Sequence, residues 1–122
     1  MAKISVIISA YNHQKFVAKT IQSVLDQSFQ DFEILITNDN STDKTLDIIK
    51  SFKDPRIKLF ENNINLGMVI NTNNMIKSAL GEYIAIINSD DFWEPNKLEK
   101  QINFLQENSN YGACFTLANM VD

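Results

Sequence analysis

Two spacings of hydrophobic residues alternate along the chain. Short runs rich in Ile, Val and Phe, closed at each end by polar clusters, occupy residues 4–9, 32–37, 57–60, 83–87 and 112–117. Runs of that length and make-up read as buried strands. Between them the apolar positions fall three and four apart. Val17, Ile21, Val24 and Leu25 form one such set, and Leu46, Ile49 and Phe52 the next. Val69, Ile76 and Leu80, then Leu98, Ile102 and Leu105, complete four helical faces. The punctuation agrees. Ser41-Thr42-Asp43 offers cap chemistry ahead of the second helix, and Gly81 suits the end of the third. Pro95 suits the first turn of the fourth, and Pro55 breaks the chain between helix and strand. Strand and helix in alternation imply right-handed crossovers. The predicted fold class is α/β: one domain, a three-layer α/β/α sandwich whose mainly parallel sheet is covered on both faces.

Composition narrows the picture. With 122 residues, 44% hydrophobic and 21% charged, the chain has the make-up of a soluble globular domain able to bury a core. A net charge of -4 with scattered Lys and Arg argues against a nucleic-acid partner. The first apolar run is too short to span a bilayer, and no signal-peptide cleavage pattern follows it. The single cysteine, Cys114, cannot form an internal disulfide. Set in an apolar run, it reads as a small core residue in a reducing, cytoplasmic compartment.

Ligands of open parallel sheets bind beyond the carboxyl ends of the strands. The residues that follow each strand are therefore the candidates. Ser9, Ala10, Tyr11, Asn12 and His13 follow the first, and Asn38, Asp39 and Asn40 the second. Glu61, Asn62 and Asn63 follow the third, and Asn88, Ser89, Asp90 and Asp91 the fourth. Two adjacent carboxylates repel each other, a cost that a divalent cation such as Mg²⁺ or Mn²⁺ removes. Such an ion would bridge a diphosphate. The alternative for Asp90 and Asp91 is a solvated turn that caps the fourth helix. Asp39 offers an acceptor to a base or ribose, as in dinucleotide folds, or else forms an Asx-turn. Tyr11 offers a ring for base stacking or for packing. Asn73, which interrupts the third helical stripe, satisfies a loop carbonyl or touches a ligand. His13 is a general-base candidate or a loop residue, and Trp93 is expected to cover the acidic loop.

Together these segments resemble glycosyltransferase family 2. The likeness runs through residues 4–12, 23–34, Asn38-Asp39-Asn40-Ser41-Thr42-Asp43, Asn65-Leu66-Gly67, residues 79–84 and Asn88-Ser89-Asp90-Asp91-Phe92-Trp93-Glu94-Pro95. The resemblance implies the GT-A fold, with this chain as its N-terminal, nucleotide-sugar-binding part. Nucleotide contacts would come from Ser9, Ala10, Tyr11, Asn12, Asp39 and Asp90, with Asp39 on the base edge. Asp91 would ligate Mg²⁺ or Mn²⁺, with Asp90 beside it or on the ribose. The implied reaction is inverting transfer from a nucleoside-diphosphate sugar, first of all a UDP-sugar, to a saccharide or lipid-linked acceptor in polysaccharide or glycoconjugate synthesis. The resemblance also allows a peripheral association of the full-length enzyme with the inner face of the membrane, and apolar surface left uncovered would allow a homo-oligomer. Ser9 replaces the family's usual Pro, Asn38 and Asn88 replace acids, and Thr72 replaces an Arg. Family domains continue into a segment that shapes the acceptor site and carries the catalytic base, so this chain is expected to bind nucleotide without transferring sugar.

Other classes fare worse. A signalling receiver domain needs an acidic pair after the first strand, where Ser9-Ala10-Tyr11-Asn12 stands. A nicotinamide-dependent oxidoreductase needs a Gly-x-Gly-x-x-Gly there. The alternative that survives is a nucleotide-binding or assembly module that keeps the fold without transfer activity.

Overall fold

The computed structural model describes residues 2–120. Strand and helix alternate: β1 (Ile4–Ala10), α1 (Val17–Leu25), β2 (Phe32–Asn38), α2 (Thr45–Ser51), β3 (Ile57–Glu61), α3 (Met68–Ser78), β4 (Tyr83–Asn88) and α4 (Lys97–Glu107). The sheet is parallel throughout, in the order β3-β2-β1-β4. Alternation along the strands sorts the side chains into two layers. Ile4, Val6, Ile8, Ile34, Ile36 and Ile87 point toward α1, α2 and α4, where Val17, Ile21, Val24, Ile49, Leu98 and Ile102 complete the larger core. Ile7 and Leu35 point the other way, onto Met75 of α3. Three layers result, as the pattern predicts.

Four expectations fail, each for a local reason. Residues 112–117 form no strand. They run beside α4, where Gln101 Nε2 donates to the Cys114 carbonyl and Lys97 Nζ to Thr116 Oγ1, and Phe115 and Leu117 are left open to solvent. Cys114 is accordingly half-buried against α4 and outside both cores. The α3 face is turned: Val69, Ile76 and Leu80 are exposed, and Asn71 and Met75 are buried instead. Asn73 is exposed as well. Coverage of the sheet is incomplete, because Ile84 and Ile86 of β4 lie on the α3 side, 41% and 56% exposed, with α3 seated over β1 and β2.

Two punctuation residues do other work than predicted. Gly81 does not end α3, which stops at Ser78. It lets the chain pass against β1: a Cβ there would stand 2.6 Å from Ser5 N. Gly81 N–H and Leu80 N–H donate to Ser5 Oγ (2.8 Å) and Glu33 Oε1 (2.7 Å), while Lys58 Nζ donates to Glu33 Oε2 (2.6 Å). Pro95 lies two residues before α4, and its carbonyl accepts Ser28 N–H at 2.7 Å.

Candidate functional site

The strand order contains one reversal. From β1 the chain steps to β2 and β3 on one side, and then returns to place β4 on the other. The loops leaving β1, β2 and β4 lead to helices on one face and the loop leaving β3 leads to α3 on the other, and ligands of such sheets bind at the carboxyl edge where the strand order reverses. Ala10 pairs with Asn38 and Ser9 with Asn88, so the ends of β2, β1 and β4 stand side by side. Asp39 and Asp91 accordingly lie on the same rim, two strand spacings apart, about 10 Å between strand axes.

The first two loops are laced together. Asn12 adopts φ 50, a left-handed conformation that asparagine tolerates. From it, the Asn12 N–H donates to Ser41 Oγ (3.1 Å) and Asn12 Oδ1 accepts Thr42 N–H (2.8 Å). Next along the chain, His13 N–H donates to Thr45 Oγ1 (2.9 Å) and Gln14 N–H to Asp43 Oδ2 (3.2 Å). Asp43 Oδ1 also accepts Thr45 N–H at 2.9 Å from the position before Lys44, the N-cap residue of α2, which has no side-chain cap bond of its own. Ala10 is fully buried, offers only backbone to the rim, and accepts Asp39 N–H at 2.8 Å. The ring of Tyr11 is 45% exposed and belongs to no core cluster, so the packing alternative fails for it.

Asp39 is 2% exposed, and its carboxylate is engaged. Oδ1 accepts Asn62 Nδ2 (2.9 Å) and Leu66 N–H (2.8 Å), and Oδ2 accepts Gly67 N–H (2.9 Å). Burial pushes this carboxyl upward, but the Leu66, Asn62 and Gly67 donors outweigh it and hold the group below its ordinary value. Oδ2 keeps one free acceptor position. Gly67 takes φ 88, which lets the loop turn its amides inward onto Asp39 at the start of α3. Asn71, 1% exposed, continues the network: its Oδ1 accepts Asn62 Nδ2 (2.8 Å) and its Nδ2 donates to Ser9 Oγ (3.1 Å). Asn38 Oδ1, beside Asp39, is buried without a partner.

The fourth loop is held from α1 and from Gln27 just past its end. Thr20 Oγ1 donates to the Ser89 (3.0 Å) and Asp91 carbonyls, Ser23 Oγ accepts Trp93 N–H (3.1 Å), and Gln27 Nε2 donates to the Glu94 carbonyl (2.7 Å). Trp93 packs on the core below the loop. This fastening leaves Asp90 and Asp91 exposed at the rim, with Asn88 Nδ2 donating to Asp91 Oδ2 at 3.2 Å. No third His, Cys, Asp or Glu joins the pair among the described residues. Such a donor set suits a hard Mg²⁺- or Mn²⁺-type ion that completes its shell with water and phosphate, and does not suit a protein-only cage.

The family model for glycosyl transferase family 2 matches residues 5–119. The chain belongs to that family. The UDP-Glc:α-D-GlcNAc-diphosphoundecaprenol β-1,3-glucosyltransferase WfaP of Escherichia coli is 42% identical over 106 residues, covering 87% of this chain and 42% of that protein. The putative teichuronic acid biosynthesis glycosyltransferase TuaG of Bacillus subtilis is 40% identical, covering 87% and 43%. The chain thus spans about two fifths of the length of these curated relatives. Among solved structures, residues 1–349 of TarS from S. aureus in complex with UDP superpose with a TM-score of 0.80 at 30% identity, over 86% of this chain and 32% of that one. The layers and strand order described above are those of the GT-A fold.

Within this family 2 frame, the ends of three strands supply the rim: Ser9, Ala10, Tyr11 and Asn12 from β1, Asp39 from β2, and Asp90 and Asp91 from β4. Sequence reasoning reaches Asn62 only as a residue that follows the third strand, and passes over Asn71 and the role of the Leu66 and Gly67 amides. Their role depends on contacts across 9 to 62 residues of chain, which no local spacing encodes. A buried amide on the apolar side of a helix was the available signal, and it points to Asn71 rather than Asn73.

Proposed function

We propose that this chain holds the donor in an inverting glycosyltransferase that moves a sugar from a UDP-sugar to a saccharide or lipid-linked acceptor. The observation that carries the reading is the shared rim: an exposed aromatic ring, a buried acid and an exposed acidic pair converge on the crevice at the β1/β4 reversal. Relatives support the donor class, since WfaP is named for UDP-Glc and TarS is solved with UDP.

In this reading the uracil stacks on Tyr11 and meets the remaining acceptor position of Asp39. Ser9 and the backbone of Ala10 and Asn12 border the ribose. Asp91, aided by Asp90, would hold Mg²⁺ or Mn²⁺ on the diphosphate side of the site. When bound, the ion supplies charge neutralisation for the departing nucleotide. Asn88 orients Asp91, and α1 keeps the acidic loop from swinging away through Thr20 and Ser23. The acceptor hydroxyl attacks the anomeric carbon from the face opposite the nucleotide, so configuration inverts. Isolated, these residues are expected to bind donor without measurable transfer.

Calorimetric titration of UDP, with and without Mn²⁺, tests the reading. The expected result is tighter binding with Mn²⁺, and loss of that gain in Asp91→Ala. Metal-dependent affinity that persists in Asp91→Ala would overturn the metal assignment, and the absence of any UDP binding would overturn the function.

A further inference from the structure

His13 spans the crevice at its floor. It belongs to the loop after β1, yet its ring Nδ1 shares a 2.6 Å hydrogen bond with Ser89 Oγ in the loop after β4, 76 residues away. Ser89 is 2% exposed and immediately precedes Asp90 and Asp91. The histidine is itself fixed at three further points. Its N–H donates to Thr45 Oγ1 (2.9 Å), its carbonyl accepts Phe16 N–H (3.0 Å) and Val17 N–H (2.9 Å), and its ring meets Phe16 edge-on at 6.0 Å. The remaining side-chain fastenings of the acidic loop run from α1, through Thr20 and Ser23, from Gln27 just past its end, or within the loop itself. The remaining fastenings of the β1 loop run to Ser41, Thr42, Asp43 and Lys44. Among the described residues, His13 to Ser89 is thus the direct side-chain hydrogen bond between the loop after β1 and the acidic loop.

We propose that His13 is a positioning residue that sets the distance between these two halves of the donor site. Held by the β1 loop, it pins Ser89, and Ser89 pins the turn from which Asp90 and Asp91 project. A nucleoside seated on Tyr11 and Asp39 then presents its diphosphate in register with the acidic pair. His13 itself touches neither part of the donor. The inference rests on the proposed function and adds a separate component to it.

The test uses two probes, uridine and UDP with Mn²⁺, on the whole chain. His13→Ala is expected to weaken Mn²⁺-dependent UDP binding about tenfold, a coupling of ordinary size for residues in one network. Uridine binding is expected to stay within twofold. His13→Asn, whose amide reaches the position of Nδ1, is expected to recover most of the loss. Ser89→Ala should reproduce the defect with a smaller perturbation, and the double variant should be no worse than either single one. UDP–Mn²⁺ affinity unchanged in both His13→Ala and Ser89→Ala would sink the proposal, as would equal losses for uridine and UDP–Mn²⁺. Wild-type chain that binds UDP with no Mn²⁺ dependence would instead sink the metal assignment, so the two failures are distinguishable.

Discussion

Asp39 remains an anion inside the protein because Asn62, Leu66 and Gly67 surround it with donors. Asp39→Ala would strip partners from two inward-facing amides, each costing about 1–3 kcal/mol. The expected loss is about 3 kcal/mol in urea unfolding, together with weakened UDP binding. Asp39, Asp43 and Glu33 share one electrostatic pattern. Burial pushes each carboxyl up, and hydrogen bonds from Leu66, Thr45 and Lys58 among others bring each below its ordinary value. A depressed folded pKa stabilises the protein above the unfolded value and loses that contribution as pH falls through the folded one. The melting temperature should therefore hold from pH 7 to about 5 and decline below about 4. Asp39→Asn should melt lower at neutral pH and decline less in acid. An equally steep acid decline in that variant would remove Asp39 from the set.

At the scale of elements, the turn from α3 into β4 depends on Gly81. Its substitution by Ala would press a Cβ against Ser5 N and the Ile4 carbonyl carbon, both backbone atoms of the central strand. The expected cost is about 1–3 kcal/mol by denaturant unfolding. Gly112→Ala, with nothing within 4 Å of its Cβ, should change stability by less than about 0.5 kcal/mol. The elements legible in the sequence are those whose pattern and packing agree. β1 to β4 and the face of α1 follow from apolar spacing, as do Ile49 and Phe52 at α2 and Leu98 and Ile102 of α4, because these bury against their own neighbours, whereas Leu46 and Leu105 stay outside the core. The face of α3 does not follow. Asp39 seizes the Leu66 and Gly67 amides and fixes the rotation of the helix so that Asn71 and Met75 turn inward. Residues 112–117 carry a strand-like pattern and find no strand partner, since side chains of α4 hold them instead. Loop chemistry was legible in part. The rim positions of Ser9, Tyr11, Asp39, Asp90 and Asp91 follow from strand ends, whereas the lacing of Asn12, His13 and Asn71 depends on which loops become neighbours.

For the whole molecule, the unfinished side is β4. Among the described residues it pairs with β1 alone, and Ile84 and Ile86 face outward on the side that α3 leaves bare. An apolar edge strand invites association with another copy. Ile86→Lys should lower the sedimentation coefficient of concentrated samples toward that of a monomer, with stability changed by less than about 0.5 kcal/mol. Weight-average mass unaffected by the lysine would show that this face is not the sticky one. The order β3-β2-β1-β4 has a temporal side as well. A chain emerging from the ribosome can lay down its first three strands each beside the last, with short crossovers. The other flank of β1 stays bare until residues 83–88 are synthesised, and the bond from Lys3 to Glu82 then closes a loop of 79 residues. The crevice between β1 and β4 therefore takes shape only once residues 83–88 have joined the sheet.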